Sequence, residues 1–79
     1  MKITVKLLAT YSKMLPPGTE GNTCKVEFGK GARVEDVLKE LNVPLDESTV
    51  ILLNGHTPES NQLLKEGDAL CAFPAMAGG

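Results

Sequence analysis

Few side chains in this 79-residue sequence have the types and spacing that chemistry requires. Cys24 and Cys71 are too few for a four-thiolate zinc site, an iron–sulfur cluster or a disulfide framework. His56 is the single histidine and lies in a turn-rich run, so we expect it to be an exposed loop residue. The Gly29-Lys30 step lacks the upstream glycine and the downstream Ser or Thr of a phosphate-binding loop. We therefore expect no bound cofactor or metal and no catalysis by this chain alone.

The composition narrows the classes of partner. An apolar fraction of 42% with 23% charged residues is typical of a globular domain. Eight Lys and Arg against ten Asp and Glu give a net charge of −2, without the basic stripe that nucleic-acid binding needs. Apolar runs such as Val50 to Leu53 are far shorter than the roughly 20 residues of a spanning helix. We expect a cytoplasmic protein that binds neither nucleic acid nor membrane.

The last five residues differ from the rest of the chain. Residues 75–79 contain no charged or β-branched side chain and end in Gly78-Gly79. Glycine has a high entropic cost of ordering. We therefore predict a folded domain over 1–74 and a flexible tail over 75–79.

Alternating apolar residues predict two strands in the first third of the chain. Residues 2–9 place Ile3, Val5 and Leu7 on one side, and residues 23–28 repeat the pattern. The two strands are predicted to form an antiparallel hairpin with a long loop, which contains one helical turn around residues 11–15. From residue 33 the period changes, because Val34, Val37, Leu38 and Leu41 form the apolar stripe of a helix. Asn42 and Pro44 end this helix, and no Ser, Thr or Asp is placed to cap its start.

The second half of the sequence contains patterns that predict further strands. Residues 50–53 form a third strand closed by the Asn54-Gly55 turn, and residues 69–74 form the last strand. A brief additional strand is predicted over 56–58 and a helical turn over 61–64. The result is an α+β fold, a mixed sheet of four to five strands with one amphipathic helix packed across one face.

This element order resembles a known family. The Asn54-Gly55 turn, the turn over residues 64–68 and the ending Phe73-Pro74-Ala75-Met76-Ala77-Gly78-Gly79 are similar to those of the MoaD/ThiS family of ubiquitin-like β-grasp sulfur carriers. The resemblance covers the whole chain.

The resemblance implies a chemical role for the terminal glycines. In this family a partner adenylating enzyme, similar to ubiquitin-activating enzymes, uses ATP to convert the last glycine to an acyl-adenylate. A sulfur donor protein then displaces AMP and leaves a thiocarboxylate, which donates its sulfur. By this resemblance Gly79 is the reacting residue, and Gly78 keeps the end thin enough for a narrow channel. The protein is then a cosubstrate rather than an enzyme.

The resemblance also implies a docking surface. In a β-grasp fold the last strand lies between the first and the third. If Ile3, Val5, Leu7, Ile51, Leu53, Leu70 and Ala72 face the helix, then Leu8, Leu52, Cys71 and Phe73 face outward. Exposed apolar patches of this kind mark protein interfaces. We predict partner binding by Leu8, Leu52, Phe73, Met76 and Ala77.

The same arrangement bears on the two cysteines. Cys24 and Cys71 would be separated by the first strand, hence by about 10 Å, which a disulfide does not span. Only Cys71 is predicted to face outward and react with thiol reagents.

Several pathways fit the resemblance. The ending looks most like the small subunit of molybdopterin synthase, whose tail enters a larger catalytic subunit. Two features depart from that pattern: Pro16-Pro17-Gly18 stands where a short helix is common, and Ala75 replaces the second proline of a common ending. Carriers for thiamine thiazole, cysteine or tungsten-pterin synthesis therefore stay open. A ubiquitin-like protein modifier and a pure binding module are alternatives of other classes.

Overall fold

The computed structural model describes residues 1–19 and 21–75. These residues form strands β1 (Lys2–Leu7), β2 (Thr23–Glu27), β3 (Thr49–Leu53) and β4 (Ala69–Pro74), the helix α1 (Val34–Glu40) and a 3₁₀ helix (Ala9–Met14). The strand order is β2-β1-β4-β3. β4 runs parallel to β1 and antiparallel to β3, and β1 and β2 pair antiparallel. The predicted α+β fold and its mixed sheet are confirmed. No helix within residues 1–19 and 21–75 is both long and apolar enough to span a membrane.

Strand β1 has one buried face and one face directed away from the helix, as its alternating sequence predicts. Ile3, Val5 and Leu7 are fully buried on the helix side, whereas Lys2 and Lys6 are exposed. Because side chains alternate along a strand, this assigns a side to every residue paired with β1. The predicted strand over 2–9 ends at Leu7, because a 3₁₀ helix begins at Ala9.

The core lies between the sheet and α1. Its buried members come from β1, β3, β4, the two helices and the connections: Ile3, Val5, Leu7, Tyr11, Val34, Val37, Leu38, Leu41, Val43, Leu53, Leu64, Leu70 and Ala72. Ile51, also predicted to face the helix, is half-buried and packs against this cluster.

The helix begins without a Ser, Thr or Asp cap. Instead, the Asp36 carboxylate accepts a hydrogen bond of 2.8 Å from the backbone N–H of Arg33. The N–H of Val34 donates to the carbonyl of Gln62 at 3.0 Å, which satisfies another helix N-terminal donor. After Glu40 the chain turns at Asn42, whose φ of 61° is left-handed. The predicted helix end is confirmed.

Two short predicted elements are wrong. Residues 56–58 form no strand, only a single bridge between His56 and Leu53. Continuing that antiparallel bridge would pair Pro58 with Ile51, and proline has no N–H to donate. Residues 61–64 form no helical turn, because Leu63 bridges to Arg33 and the Leu64 N–H donates to the Ala32 carbonyl instead. Leu64 itself is buried.

Candidate functional site

The face of the sheet opposite α1 carries the predicted docking residues. Leu52 of β3 lies directly opposite Cys71 of β4, and Cys71 is aligned with Lys6 of β1. These three residues therefore form one row across the outer face.

A second row lies closer to the end of β4. Val50 is directly opposite Phe73. The Leu8 N–H donates to the Ala72 carbonyl at 3.1 Å, which extends the β1–β4 register by one residue and places Leu8 beside Phe73. Phe73 thus lies between Leu8 and Val50. We call Leu8, Val50, Leu52, Cys71 and Phe73 the outer apolar patch.

Each residue of the outer apolar patch is half-buried rather than fully exposed. Cross-strand neighbours on one face have Cβ atoms only about 5 Å apart, so the side chains partly cover each other. Among the residues that the structure describes, the large apolar side chains with the greatest exposure are Leu45 and Leu63, which lie elsewhere. The patch is a shared apolar surface with Phe73 at its centre.

The neighbouring half of the outer face is charged. Lys6 pairs with Thr23, Thr4 with Lys25 and Lys2 with Glu27, and these positions alternate with the buried residues of β1. Lys2, Lys6, Lys25 and Glu27 are exposed. The outer face therefore combines an apolar half on β3 and β4 with a half on β1 and β2 that carries three lysines and one glutamate.

The route to the tail starts beside the second row. Pro74 ends β4, opposite Thr49 of β3. The N–H of Ala75 donates to the carbonyl of Ser48 at 2.7 Å, one residue beyond the strand pairing. The predicted site residues Met76, Ala77, Gly78 and Gly79 lie outside the described residues. Leu8, Leu52 and Phe73 are brought together on one face.

In the part of the chain that the structure describes, two open grooves lie beside the sheet, and neither is lined by a residue of the outer apolar patch. One of about 360 Å³ lies between α1 and β3 and includes Val34 and Ile51. The other, of about 650 Å³, includes Phe28 and Leu41. Within residues 1–19 and 21–75, no group of three or more His, Cys, Asp or Glu side chains could hold a metal ion.

The two cysteines lie on opposite faces. Cys24 pairs with the buried Val5 and packs against the core, whereas Cys71 belongs to the outer apolar patch. Burial raises the pKa of the Cys24 thiol. Both thiols are free, and β1 runs between their strands.

Sequence reasoning missed some residues of this region. Val50 is two positions before Leu52 on the same strand, so strict alternation would have added it to the patch. No local sequence pattern predicts that Lys6 lies beside Cys71 or that the Ser48 carbonyl accepts a hydrogen bond from Ala75. Each of these pairings joins distant parts of the chain.

Comparison with known proteins agrees with this geometry. The family model for Mut7-C ubiquitin matches residues 1–78. No curated protein sequence matches the chain.

Several solved structures share the fold. SAMP1 from Haloferax volcanii is 24% identical with a TM-score of 0.78, and the match covers 100% of both chains. A protein assigned as molybdopterin converting factor subunit 1 from Pyrococcus furiosus is 26% identical with a TM-score of 0.74, covering 95% of this chain and 98% of that one. One chain of a complex of molybdopterin converting factor subunits 1 and 2 from Helicobacter pylori matches at 20% identity and a TM-score of 0.62, covering 100% of this chain and 100% of that one.

The resemblance to ubiquitin-like proteins of the MoaD/ThiS kind is confirmed by these matches. The strand order and the packing of α1 across the sheet are those of a β-grasp domain. This chain therefore belongs to the Mut7-C ubiquitin family of ubiquitin-like β-grasp proteins.

Proposed function

We propose that this protein is a sulfur carrier whose Gly79 carboxyl is activated by a partner enzyme and converted to a thiocarboxylate. The observation that carries the proposal is the position of the Leu8–Phe73–Val50 row, which lies at the end of β4 from which the chain continues towards Gly78-Gly79. A partner that binds this row lies close to the start of the segment that it must modify. The likeness to molybdopterin converting factor subunit 1 supports the same role.

The activation chemistry needs three successive substitutions: one at the α-phosphate of ATP, one at the acyl carbon of Gly79 and one at sulfur. First, a carboxylate oxygen of Gly79 attacks the α-phosphate of ATP and pyrophosphate leaves, which produces an acyl-adenylate. Next, the terminal sulfur of a persulfide attacks the acyl carbon, and AMP leaves with the bonding electrons. A second thiol then attacks the donor sulfur of the acyl disulfide, so that the thiocarboxylate leaves and a new disulfide forms. Because neither Gly78 nor Gly79 has a Cβ, the acyl carbon is not crowded during these attacks.

In this scheme, partner proteins recognise and bind the outer face of the sheet. Aromatic side chains are common anchors of protein interfaces, and Phe73 is the aromatic residue of the patch. Lys6 and Lys25 on the charged half favour a partner with acidic residues beside an apolar contact. The adenylating enzyme, which supplies ATP, and the sulfur donor protein are the first partners in this scheme. An ATP-dependent carrier of this type works in the cytoplasm.

The sulfur acceptor that we propose is the precursor of molybdopterin, in the pathway to molybdenum or tungsten cofactor. The larger catalytic partner would then be a molybdopterin synthase large subunit, with this chain as its small subunit. The Helicobacter pylori complex of subunits 1 and 2 supports this partner, because its smaller member shares the fold. Thiamine thiazole and cysteine synthesis use the same carrier chemistry and differ in the acceptor.

A second candidate function is protein modification. The likeness to SAMP1, the small archaeal modifier protein 1 of Haloferax volcanii, favours this function and extends over 100% of both chains. A modifier would use the same adenylation, but a lysine amine instead of a sulfur would attack the activated Gly79. The product would be an isopeptide bond on another protein.

Intact-mass spectrometry separates these candidates. The full chain is incubated with ATP, a persulfide donor and the adenylating enzyme from the same organism. We expect a mass gain that equals replacement of one oxygen by sulfur, located at Gly79 by fragmentation. The variant that lacks Gly79 is the control, and it should keep its fold and gain nothing.

Two results would contradict the sulfur-carrier proposal. Adducts only on lysines of other proteins would favour the modifier. No ATP-dependent change at Gly79 would leave a binding module that acts through its outer face alone. The acceptor is identified by adding the purified thiocarboxylate form to the large subunit with the pterin precursor and measuring dithiolene formation.

A further inference from the structure

The root of the tail is held by a turn that follows the helix. The Ala75 N–H donates to the Ser48 carbonyl at 2.7 Å. This bond lies one residue beyond the pairing of β3 with β4, on the segment that leads to Gly79. Ser48 lies just before β3, so its carbonyl is not positioned by the strand pairing alone.

Asp46 positions that carbonyl. Its Oδ1 accepts a hydrogen bond of 2.8 Å from the Ser48 N–H and a second one from the Ser48 hydroxyl. Its backbone carbonyl accepts the Thr49 N–H at 3.1 Å. The two Ser48 bonds lower the pKa of Asp46, so the carboxylate is ionised at neutral pH. Hydrogen bonds to an ionised group are stronger than those between neutral groups.

Tyr11 ties the same turn to the core. Its hydroxyl and the Thr49 Oγ1 are 2.7 Å apart. Tyr11 is buried, and the 3₁₀ helix that contains it packs against β4 and β1. The turn over residues 46–49 is therefore fixed at one end by Asp46 and backed by a buried side chain.

We propose that Asp46 is a positioning residue that fixes Ala75, the residue from which the chain continues to Gly79. The role rests on the proposed function, because only a tail that enters another protein's site needs a defined starting point. With Ala75 held, the four residues beyond it span at most about 14 Å when extended. If the Ala75 bond opens, the direction in which the chain leaves β4 is no longer set. A held root lowers the entropy that the partner must remove when it captures Gly79.

Amide hydrogen exchange measured by NMR on the full chain tests the hold itself. Asp46→Ala should accelerate exchange of the Ala75 amide about tenfold, because the turn loses its charge-assisted bonds. Glu47→Ala is the matched control, since it removes the neighbouring exposed carboxylate and should leave the Ala75 rate unchanged. Asp46→Asn keeps a side-chain oxygen acceptor and should restore part of the protection. Asp46 is exposed, so each variant should remain folded.

The second measurement is thiocarboxylation by the adenylating enzyme and persulfide donor over a range of carrier concentrations. We expect Asp46→Ala to raise the KM for the carrier several-fold with little change in kcat, and Asp46→Asn to recover part of the loss. An Ala75 exchange rate equal to that of the wild type would overturn the proposal. Faster exchange with an unchanged KM would overturn the positioning role and leave the sulfur-carrier function intact. Failure of the wild type to gain sulfur at Gly79 would instead refute the proposed function, and with it the role of Asp46.

Discussion

Val50 of β3 and Phe73 of β4 lie directly opposite each other on the face of the sheet that α1 does not cover. Their side chains share the last row before the chain leaves β4 at Pro74. The surface that we assign to partner docking and the segment that we expect the partner to modify are therefore continuous. This continuity gives the first prediction.

Phe73→Asp should weaken binding to the adenylating enzyme by at least about tenfold, as expected for the loss of an aromatic anchor at an interface. Phe73 is half-buried on the outer face, so the core between sheet and helix should stay intact. Titration calorimetry measures the affinity, and urea unfolding measures the stability. Ser60→Asp introduces the same charge at an exposed loop position beside the groove between α1 and β3, away from the outer face, and should change neither quantity much. Unfolding of Phe73→Asp alone would show that Phe73 belongs to the core.

Leu38→Ala should reduce the free energy of unfolding by about 2–5 kcal/mol, the usual range for a fully buried leucine. Leu38 has no exposed surface and packs between α1 and the sheet. Small domains have only about 5–15 kcal/mol of stability in total, so the variant should unfold at much lower urea concentration. Leu63→Ala is the matched control, because Leu63 is 48% exposed. This substitution should reduce the free energy of unfolding by well under half as much.

Asn54 connects the tight turn to the start of β4. Its Oδ1 accepts the Ala69 N–H at 2.9 Å, its Nδ2 donates to the Asp68 carboxylate at 3.0 Å, and its φ is 52°. Asn54→Ala should reduce the free energy of unfolding by about 1–3 kcal/mol, because both side-chain hydrogen bonds are lost and alanine disfavours positive φ. Asn54→Gly keeps the turn geometry and loses only the bonds, so urea unfolding should show a smaller loss. Equal losses would mean that the backbone conformation contributes nothing.

Cys24 should react with iodoacetamide only at more alkaline pH than an ordinary thiol, because burial raises its pKa and the thiolate is the nucleophile. The rate is measured against pH in a Cys71→Ser variant, with the urea-unfolded chain as the control. The same shift predicts lower stability at alkaline pH. The unfolded thiol ionises first, so the stabilisation present below its pKa is lost as pH rises through the folded pKa. A folded rate profile identical to the unfolded one would contradict the assignment of Cys24 to the inner face.

Elements that depend on local pattern were predicted well. Alternation located β1 and β2 to within two residues, and the apolar stripe located the helix, because side-chain direction repeats every two residues in a strand and about every 3.6 in a helix. The failures occur where a distant partner decides the structure. Pro58 prevents a strand beside β3. The backbone groups of the residues around Leu63 pair with those of Ala32, Arg33 and Val34 instead of forming a helical turn.

The amino-acid sequence by itself determined which side chains share a face, where the helix ends and that a glycine pair follows the last strand. Only the tertiary structure decided which faces meet: Lys6 beside Cys71, Leu8 beside Phe73, and the Asp46 turn against Ala75. The physical reason is that a periodic pattern reports the direction of each side chain relative to its own backbone. Contacts between distant segments depend on strand order and register, which are set when all the buried faces pack together.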